Sequence, residues 1–367
     1  PYALRLKLKS IKNSGQTAGK LYALSTIGSI VGTFLAGFYL LSVIGSSSLL
    51  LLISALLIIA ALIANHKSKL IWNIVALVTI AFYFIHTQKV EASSEIIELD
   101  SEYSHIKIYE DTDPYSLNPI LKLVRNTNHS SAMFLDSNDL VFKYTKYYDL
   151  IEHFNPNLKK TLLIGGGAYS YPKHYLEKFP EASIDVVEID PMLYTLSLQY
   201  FNLPESPFLT NYPEDGRTFL NNNEKKYDAI LQDAFGGHHS IPFQLTTIEA
   251  AQEMYDSLEE NGIFIANVIS GIEGERGQPL RAIYHTFSNV FPQTYVLQVH
   301  PGHDKSKVQN LILIGLKSTT SANFETDNKS YSSFFQGLVK DDIPEDLPVL
   351  TDDFAPIDNY TMKLLAE

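Results

Sequence analysis

The sequence predicts a doubly wound α/β domain, preceded by a small antiparallel sheet and, before that, by membrane-spanning helices. Three observations carry this expectation. From Pro156 onward, short β-branched runs alternate with helical stretches, the pattern of a parallel sheet covered on both faces. The glycine-rich turn GGGAYS (Gly165 to Ser170) directly follows the apolar run Leu162-Leu163-Ile164, and Glu188 stands 21 residues after Gly167 in IDVVEIDP. The first 90 residues hold three long apolar stretches without charge. The resulting boundaries are 1–90 for the membrane region, 91–152 for a small β-rich domain and 153–367 for the Rossmann-like domain.

The membrane region comes first. Its expected spans run from about Leu21 to Ile44, from Ser48 to Ala64 and from Leu70 to Ile85. Each is near the roughly 17–25 residues that cross a bilayer. A soluble core helix would show a polar stripe, and Leu49 to Ala64 shows none beyond Ser54. In the first span Gly28, Gly32 and Ala36 recur every four residues, a spacing that lets transmembrane helices approach closely. The chain begins at Pro1 rather than Met, which points to further sequence upstream. The chain is therefore expected in the cell membrane as a multi-pass protein. Basic residues flank the spans on both sides, Arg5 to Lys20 before and Lys67 and Lys69 within, so charge alone leaves the side of the soluble part open.

Charge divides the chain. No acidic residue precedes Glu91, whereas eight Lys and Arg do, so the net −13 splits into +8 and −21. An acidic domain lacks the basic face that phosphate contact needs, which excludes a nucleic-acid binder and suits a cationic partner. There are no cysteines, so disulfides, thiol nucleophiles and cysteine-based zinc sites are excluded.

From Glu91 to Asp149 the runs HIKIYED, SSAMFLDS and DLVFKYT read as strands of a small antiparallel sheet. TLLIGG is then the first parallel strand. Pro172 is tolerated in the first turn of the next helix, whose apolar face is Tyr175, Leu176 and Phe179. SIDVVEID and YDAILQDAF are further strands. Thr246 to Glu249 reads as a capping box opening a helix that Asn261-Gly262 ends, and IFIANVI and Asn310 to Leu316 are late strands.

Chemistry gathers at the strand ends, where an open α/β sheet binds its ligands. Gly165, Gly166 and Gly167 let backbone approach a nucleoside, and Glu188 is placed to accept from ribose hydroxyls. Asp190, Asp215-Gly216 in PEDGR and Asp233 in LQDAFGG also end strands or open the following loops. Asp215 and Gly216 fit an adenine edge, with a simple Asp-Gly turn as the plainer alternative. Asp233 precedes Gly236-Gly237-His238-His239, a stretch suited to closing over a pocket. A carboxylate there can take the proton of an attacking amine, which near neutrality needs that help because its pKa is about 10.4. The two histidines read as loop residues, since adjacent side chains point apart and no third zinc ligand is evident.

The segments SEYSHIKIYED, HSSAMFLD, YTKYYDL, LIGGGAYSYPK, VVEIDP, EDGRTFL, YDAILQDAFGGHHSIPFQLTT and LTDDFAPID together resemble the spermidine synthase (polyamine aminopropyltransferase) family, in its membrane-fused form. LYALSTIGSIVGTFLAGFYLL resembles the end of that form's transporter-like membrane region. The resemblance implies a seven-strand methyltransferase-type fold and a homodimer. It implies decarboxylated S-adenosylmethionine as co-substrate, with no permanently bound cofactor and no metal. It places Glu188 on ribose, Asp215 near adenine, and Asp233 as the acid that activates the acceptor amine, aided by Tyr147. The family's GGGDGG is altered to Ala168 and Tyr169 after the glycines, and the second acid of the loop after the catalytic Asp is Gly236. Asp352 and Asp353 are candidates to compensate, a charged C-terminal turn being the alternative.

The reading is a membrane-anchored transferase that moves an aminopropyl group to an amine such as putrescine and releases methylthioadenosine. A methyltransferase using intact S-adenosylmethionine and a non-catalytic sensor domain coupled to a transporter are the two rivals. The location of polyamine substrates favours a cytoplasmic domain.

Overall fold

A computed structural model describes residues 14–64, 96–126, 128–236 and 241–364. The chain divides into two compact units between Ile106 and Lys107.

The first unit contains a helical run, α1 (Ser14–Leu35), a π-helical turn (Ala36–Leu40) and α2 (Leu41–Ala64). Among the described residues one stretch, Ser14–Leu40, is long and apolar enough to cross a membrane, and Leu49–Ala61 is a shorter apolar helix. The run is helical through 45–47, where the sequence reading put the break between its first two spans. The third expected span lies outside the described residues. Leu24, Ile27, Val31, Phe34 and Phe38 are all exposed, and α1 buries no residue at all. Beyond the adjoining residues and the helix's own backbone, no described atom lies within 4 Å of where a Cβ on Gly28 or Gly32 would stand.

The strands β1 (Ile97–Asp100), β2 (His105–Thr112), β3 (Pro119–Arg125) and β4 (Asn128–Phe134) form a sheet in that order. β3 was not foreseen, because Pro119 opens PILKLVR; proline is tolerated as a first strand residue. DLVFKYT, expected as a strand, is instead a bridge at Leu140 leading to a 3-10 helix over Tyr144–Asp149. Burial of Thr145, Tyr147 and Tyr148 against the larger sheet decides it, since alternation cannot bury neighbouring tyrosines together.

The larger sheet holds seven strands: β5 (Lys160–Ile164), β6 (Ser183–Val187), β7 (Leu209–Tyr212), β8 (Tyr227–Gln232), β9 (Leu258–Ser270), β10 (Gln293–Gln298) and β11 (Gln309–Leu316). Their order is β10-β11-β9-β8-β5-β6-β7. β5 pairs in parallel with both β6 and β8, and β11 is antiparallel to its two neighbours. The chain reverses its winding between β5 and β8, and a crevice opens at such a switch point beyond the strands' carboxyl ends.

Alternate residues of the strands feed two cores. Leu162, Ile164, Val187 and Ile230 face α7 (Ile248–Asp256) and α8 (Gln278–Ser288), with Phe264, Phe287 and Met254 buried among them. Leu163, Val186, Ala229 and Leu231 face the opposite side, among Tyr147, Tyr148, Tyr169 and Tyr175. Asp185 is buried in β6, where Lys225 Nζ at 2.8 Å and Tyr227 Oη at 2.9 Å satisfy it. Two expectations about α7 change. Its N-cap is Thr247, whose hydroxyl accepts from Ala250 N, while Glu249 accepts from Asp352 N. Asn261-Gly262 lies inside β9, because the helix has already ended at Asp256.

Phe264 stacks on Phe287 at 5.0 Å and on Phe291 at 5.6 Å between ring centres, in the middle of β9. Phe264→Ala should lower the unfolding free energy by about 3–5 kcal/mol, measured by urea denaturation followed by circular dichroism.

Candidate active site

The sheet brings the glycine turn and Asp233 together by register. Ile164 pairs with Gln232, so Gly165 and Asp233 leave the sheet side by side, and Asp233 N donates to Ile164 O at 2.8 Å. Gly165 has φ 96, and a Cβ there would lie 2.6 Å from the Asp233 carbonyl oxygen. Gly167 has φ 54, and its Cβ would stand 2.5 Å from Ser131 Oγ. Neither position accepts a side chain without displacing backbone or strand β4. Ser131 Oγ accepts from Ala168 N at 2.9 Å, and Ser170 Oγ donates to Ala132 O at 3.0 Å, so the β3–β4 hairpin is fastened to the turn.

Glu188 is 4% exposed and closes the turn from the other side. Its Oε2 accepts from Gly166 N at 2.9 Å and Gly167 N at 3.0 Å, and its Oε1 accepts from Asp190 N at 3.1 Å. Oε2 is thereby filled, while Oε1 keeps one acceptor position. Asp190 caps α5 (Pro191–Tyr200) through Met192 N. Asp215 Oδ1 caps α6 (Gly216–Asn222) through Thr218 N at 3.0 Å, and Gln244 Nε2 approaches its Oδ2 at 3.4 Å. Gly216 lies so close to β5 that a Cβ would meet Ile164 Cγ2 at 2.7 Å.

Asp233 sits among hydrogen-bond donors. Asn267 Nδ2 donates to Oδ1 and Tyr144 Oη to Oδ2, each at 3.2 Å. Asn267 is fixed in turn by Asn310 Nδ2, which donates to its Oδ1 at 3.0 Å and leaves the amide nitrogen for Asp233. Tyr148 brings its buried hydroxyl near enough to help hold the Asp233 charge, yet that hydroxyl has no hydrogen-bond partner among the described residues. Burial pushes the Asp233 carboxyl up to about 6, against the opposing pull of Asn267, the two tyrosines and the Arg125 charge. Burial and the neighbouring Asp233 charge raise both tyrosines well above the ordinary phenol range. A cavity of about 30 Å³, enough for a water molecule, adjoins Asp233 and is lined by Ser130, Ser131, Tyr144, Tyr148, Gly165 and Gly166, among others.

Two expectations fail. Tyr147 does not face Asp233. Its hydroxyl donates to Gln298 O at 3.2 Å and its ring stacks on Phe334 at 4.1 Å, so it is a core residue, its hydroxyl pushed up to about 12 by burial. One helical face carries Tyr144 and Tyr148 toward Asp233, and Tyr147 points away. Asp352 and Asp353 do not line the cavity. Asp352 instead pairs with Arg217 Nη2 at 2.8 Å and accepts from Thr247 Oγ1 at 2.7 Å, and Asp353 is exposed. His238 and His239, with Gly237, lie outside the described residues.

Residues 145–300 match the spermine/spermidine synthase domain. A polyamine aminopropyltransferase of Vibrio vulnificus is 31% identical over 183 residues, covering 48% of this chain and 60% of that protein. One from Streptococcus pneumoniae is 31% identical over 233 residues, covering 60% of this chain and 76% of the relative. The chain belongs to the spermine/spermidine synthase family. Its fold is that of a solved probable spermidine synthase from Corynebacterium glutamicum, with a TM-score of 0.56 at 21% identity over 69% of this chain and 90% of that one.

Asn267, Tyr144, Tyr148 and Ser131 were missed from sequence. Asn267 had a signal: an asparagine inside the apolar strand IFIANVI must find a buried partner. Because burial raises the Asp233 pKa above the unfolded value of 3.8, the folded state binds the extra proton between about pH 4 and pH 6. Stability is thus lost as pH rises through that window and stays lower above it. Relative to wild type, Asp233→Asn should gain on the order of 2–3 kcal/mol between pH 4 and pH 7, measured by denaturation at both pH values.

Proposed function

We propose that the chain is a membrane-anchored aminopropyltransferase acting on an amine such as putrescine, with decarboxylated S-adenosylmethionine as donor. The observation that carries this is the half-buried, donor-caged Asp233 held against the glycine turn. In this reading the nucleoside lies over Gly165–Gly167, with Glu188 Oε1 on ribose and Asp215 with Gly216 toward adenine. The acceptor amine enters beside Tyr144 and Tyr148. Its nitrogen lone pair attacks the propyl carbon attached to sulfur, and the C–S bond breaks with its electron pair leaving on methylthioadenosine. Asp233 takes the proton released from nitrogen. Tyr148 supplies an unpaired hydroxyl to orient the amine, a role first assigned to Tyr147. The closeness of Asp233 to the glycine turn provides the orientation on which such a displacement depends.

The exposed apolar surface of Ser14–Leu40 supports integral membrane attachment, since water-exposed apolar patches of that extent are otherwise rare. A homodimer is carried over from the family resemblance. Intact S-adenosylmethionine as donor is the second reading, favoured by Ala168, which presents a methyl group where the family has a carboxylate.

Release of methylthioadenosine rather than S-adenosylhomocysteine decides between the donors and is measured by chromatography of the reaction. Asp233→Asn should lower turnover by about 10²–10⁴-fold with nucleoside affinity retained. In the wild type kcat/KM should fall as pH drops through about 6, the value to which burial raises Asp233. Tyr148→Phe should lower kcat/KM, and Tyr147→Phe should leave it unchanged; equal losses in the two would return the role to Tyr147. The full chain should need detergent for extraction, and its presence in the supernatant of a centrifuged detergent-free lysate would overturn the anchor.

A further inference from the structure

Asp149 follows Tyr148 in sequence and closes the 3-10 helix Tyr144–Asp149. Its side chain is 13% exposed, and its carboxylate takes three donors from one helix, α4 (Ser170–Lys178). Lys178 Nζ lies 2.9 Å from Oδ2 and His174 Nε2 3.1 Å from it, while Tyr171 Oη donates to Oδ1 at a longer 3.4 Å. Tyr171, His174 and Lys178 follow one another at spacings of three and four, so they share one face of the helix. Lys178 also reaches Glu152 Oε2 at 3.2 Å in α3 (Leu150–Phe154), and Tyr331 Oη donates to the same oxygen at 2.7 Å. Burial would raise the Asp149 carboxyl, but His174 and Lys178 bring it below the ordinary carboxylate range.

An ion pair on open surface contributes little. This one joins two parts of the site that are distant in sequence, since Asp149 and Tyr171 stand 22 residues apart. α4 starts where the glycine turn ends, and its first residue is fastened to strand β4 through Ser170 Oγ. The 3-10 helix brings Tyr144 and Tyr148 to the wall that holds Asp233. Tyr171 touches both sides of the junction. Its hydroxyl is on Asp149, and its ring meets the Tyr148 ring edge to face at 5.2 Å, with both rings lining the cavity. Asp149 itself lies outside the cavity wall. We infer that Asp149 is a positioning residue for the transfer, holding Tyr148 at a fixed distance from the glycine turn through Tyr171, His174 and Lys178. The inference rests on the aminopropyl-transfer reading above, in which the Tyr148 hydroxyl orients the amine. Aim matters there because displacement at carbon needs nitrogen, carbon and sulfur in line.

The test is a double-mutant cycle on the full chain in detergent, with putrescine and decarboxylated S-adenosylmethionine. Asp149→Ala should lower kcat/KM by roughly ten- to a hundredfold, with methylthioadenosine affinity retained in calorimetry. In a Tyr148→Phe background the same substitution should change kcat/KM by no more than about twofold, because a residue acting through Tyr148 has little left to act on. Equal losses in the two backgrounds overturn the inference, as does a lower Tm with kcat/KM unchanged. Asp149→Asn keeps the shape and one acceptor oxygen, and should lose less than Asp149→Ala. Should Asp149→Ala not fold, Lys178→Met combined with His174→Phe strips the carboxylate of its two closest donors and goes through the same cycle. A second measurement needs no turnover. With 3-fluorotyrosine in place of Tyr148, the fluorine resonance should be narrow in the otherwise wild-type chain and should shift or broaden on Asp149→Ala. An unchanged resonance overturns the inference. A changed resonance in a protein that transfers to no amine leaves the hold on Tyr148 standing, and the transferase reading fails alone.

Discussion

The turn at Gly165–Gly167 touches three other segments at distances that exclude a Cβ. Its first glycine lies against the Asp233 backbone, its second against the Tyr169 ring and its third against Ser131 of the small sheet. Glu188 then ties two of its amides to the end of β6. A single tight turn thus sets the separation between the β3–β4 hairpin, acidic strand end and candidate base. Every one of these contacts is short because side chains are missing, so the geometry tolerates little variation. The cost appears one residue later. Tyr169 adopts φ 55, a left-handed conformation uncommon for a bulky residue, and is held there by burial and by its hydroxyl bond to Asn211.

The same crowding gives Asp233 its chemistry. Closing the sheet end removes water, which raises the carboxyl toward the range where a base is useful near neutrality. The hydrogen bonds from Asn267 and Tyr144 oppose that rise without cancelling it. Asn310 fixes Asn267 so that it presents a donor and not an acceptor, and this second layer comes from β11, the antiparallel neighbour of β9. The acid is therefore held at some expense to stability, as functional carboxylates in closed sites commonly are.

The parallel part of the fold was legible because buried strands leave apolar runs and their ends leave glycines and acids. TLLIGG, SIDVVEID and YDAILQDAF became β5, β6 and β8, and Glu188 and Asp233 fell at the strand ends expected of them. What failed depended on facing. YTKYYD offers three tyrosines within five residues, and a 3-10 turn decides which two see the acid. Sequence spacing alone does not reveal that turn. Asp352 looked available because it is acidic and late in the chain, but Arg217 and Thr247 claim it. Acids at helix starts were also ambiguous. Asp190 and Asp215 cap helices through backbone amides, a duty any nucleoside contact would have to share.

Charge shows the limit of whole-chain reasoning most clearly. All the acids lie from Glu91 onward, and that excess gathers cations from a distance. At the cavity the balance is different, with a single carboxylate set among serines, tyrosines and apolar groups in the described wall. Long-range attraction is screened within about 10 Å at ordinary salt, whereas a partly buried pair is screened far less. The long-range field of the chain and the groups that line the cavity are therefore separate properties. The first is legible in composition. The second needs the β3–β4 hairpin in place, because that hairpin brings Ser130 and Ser131 to the wall that Asp233 completes.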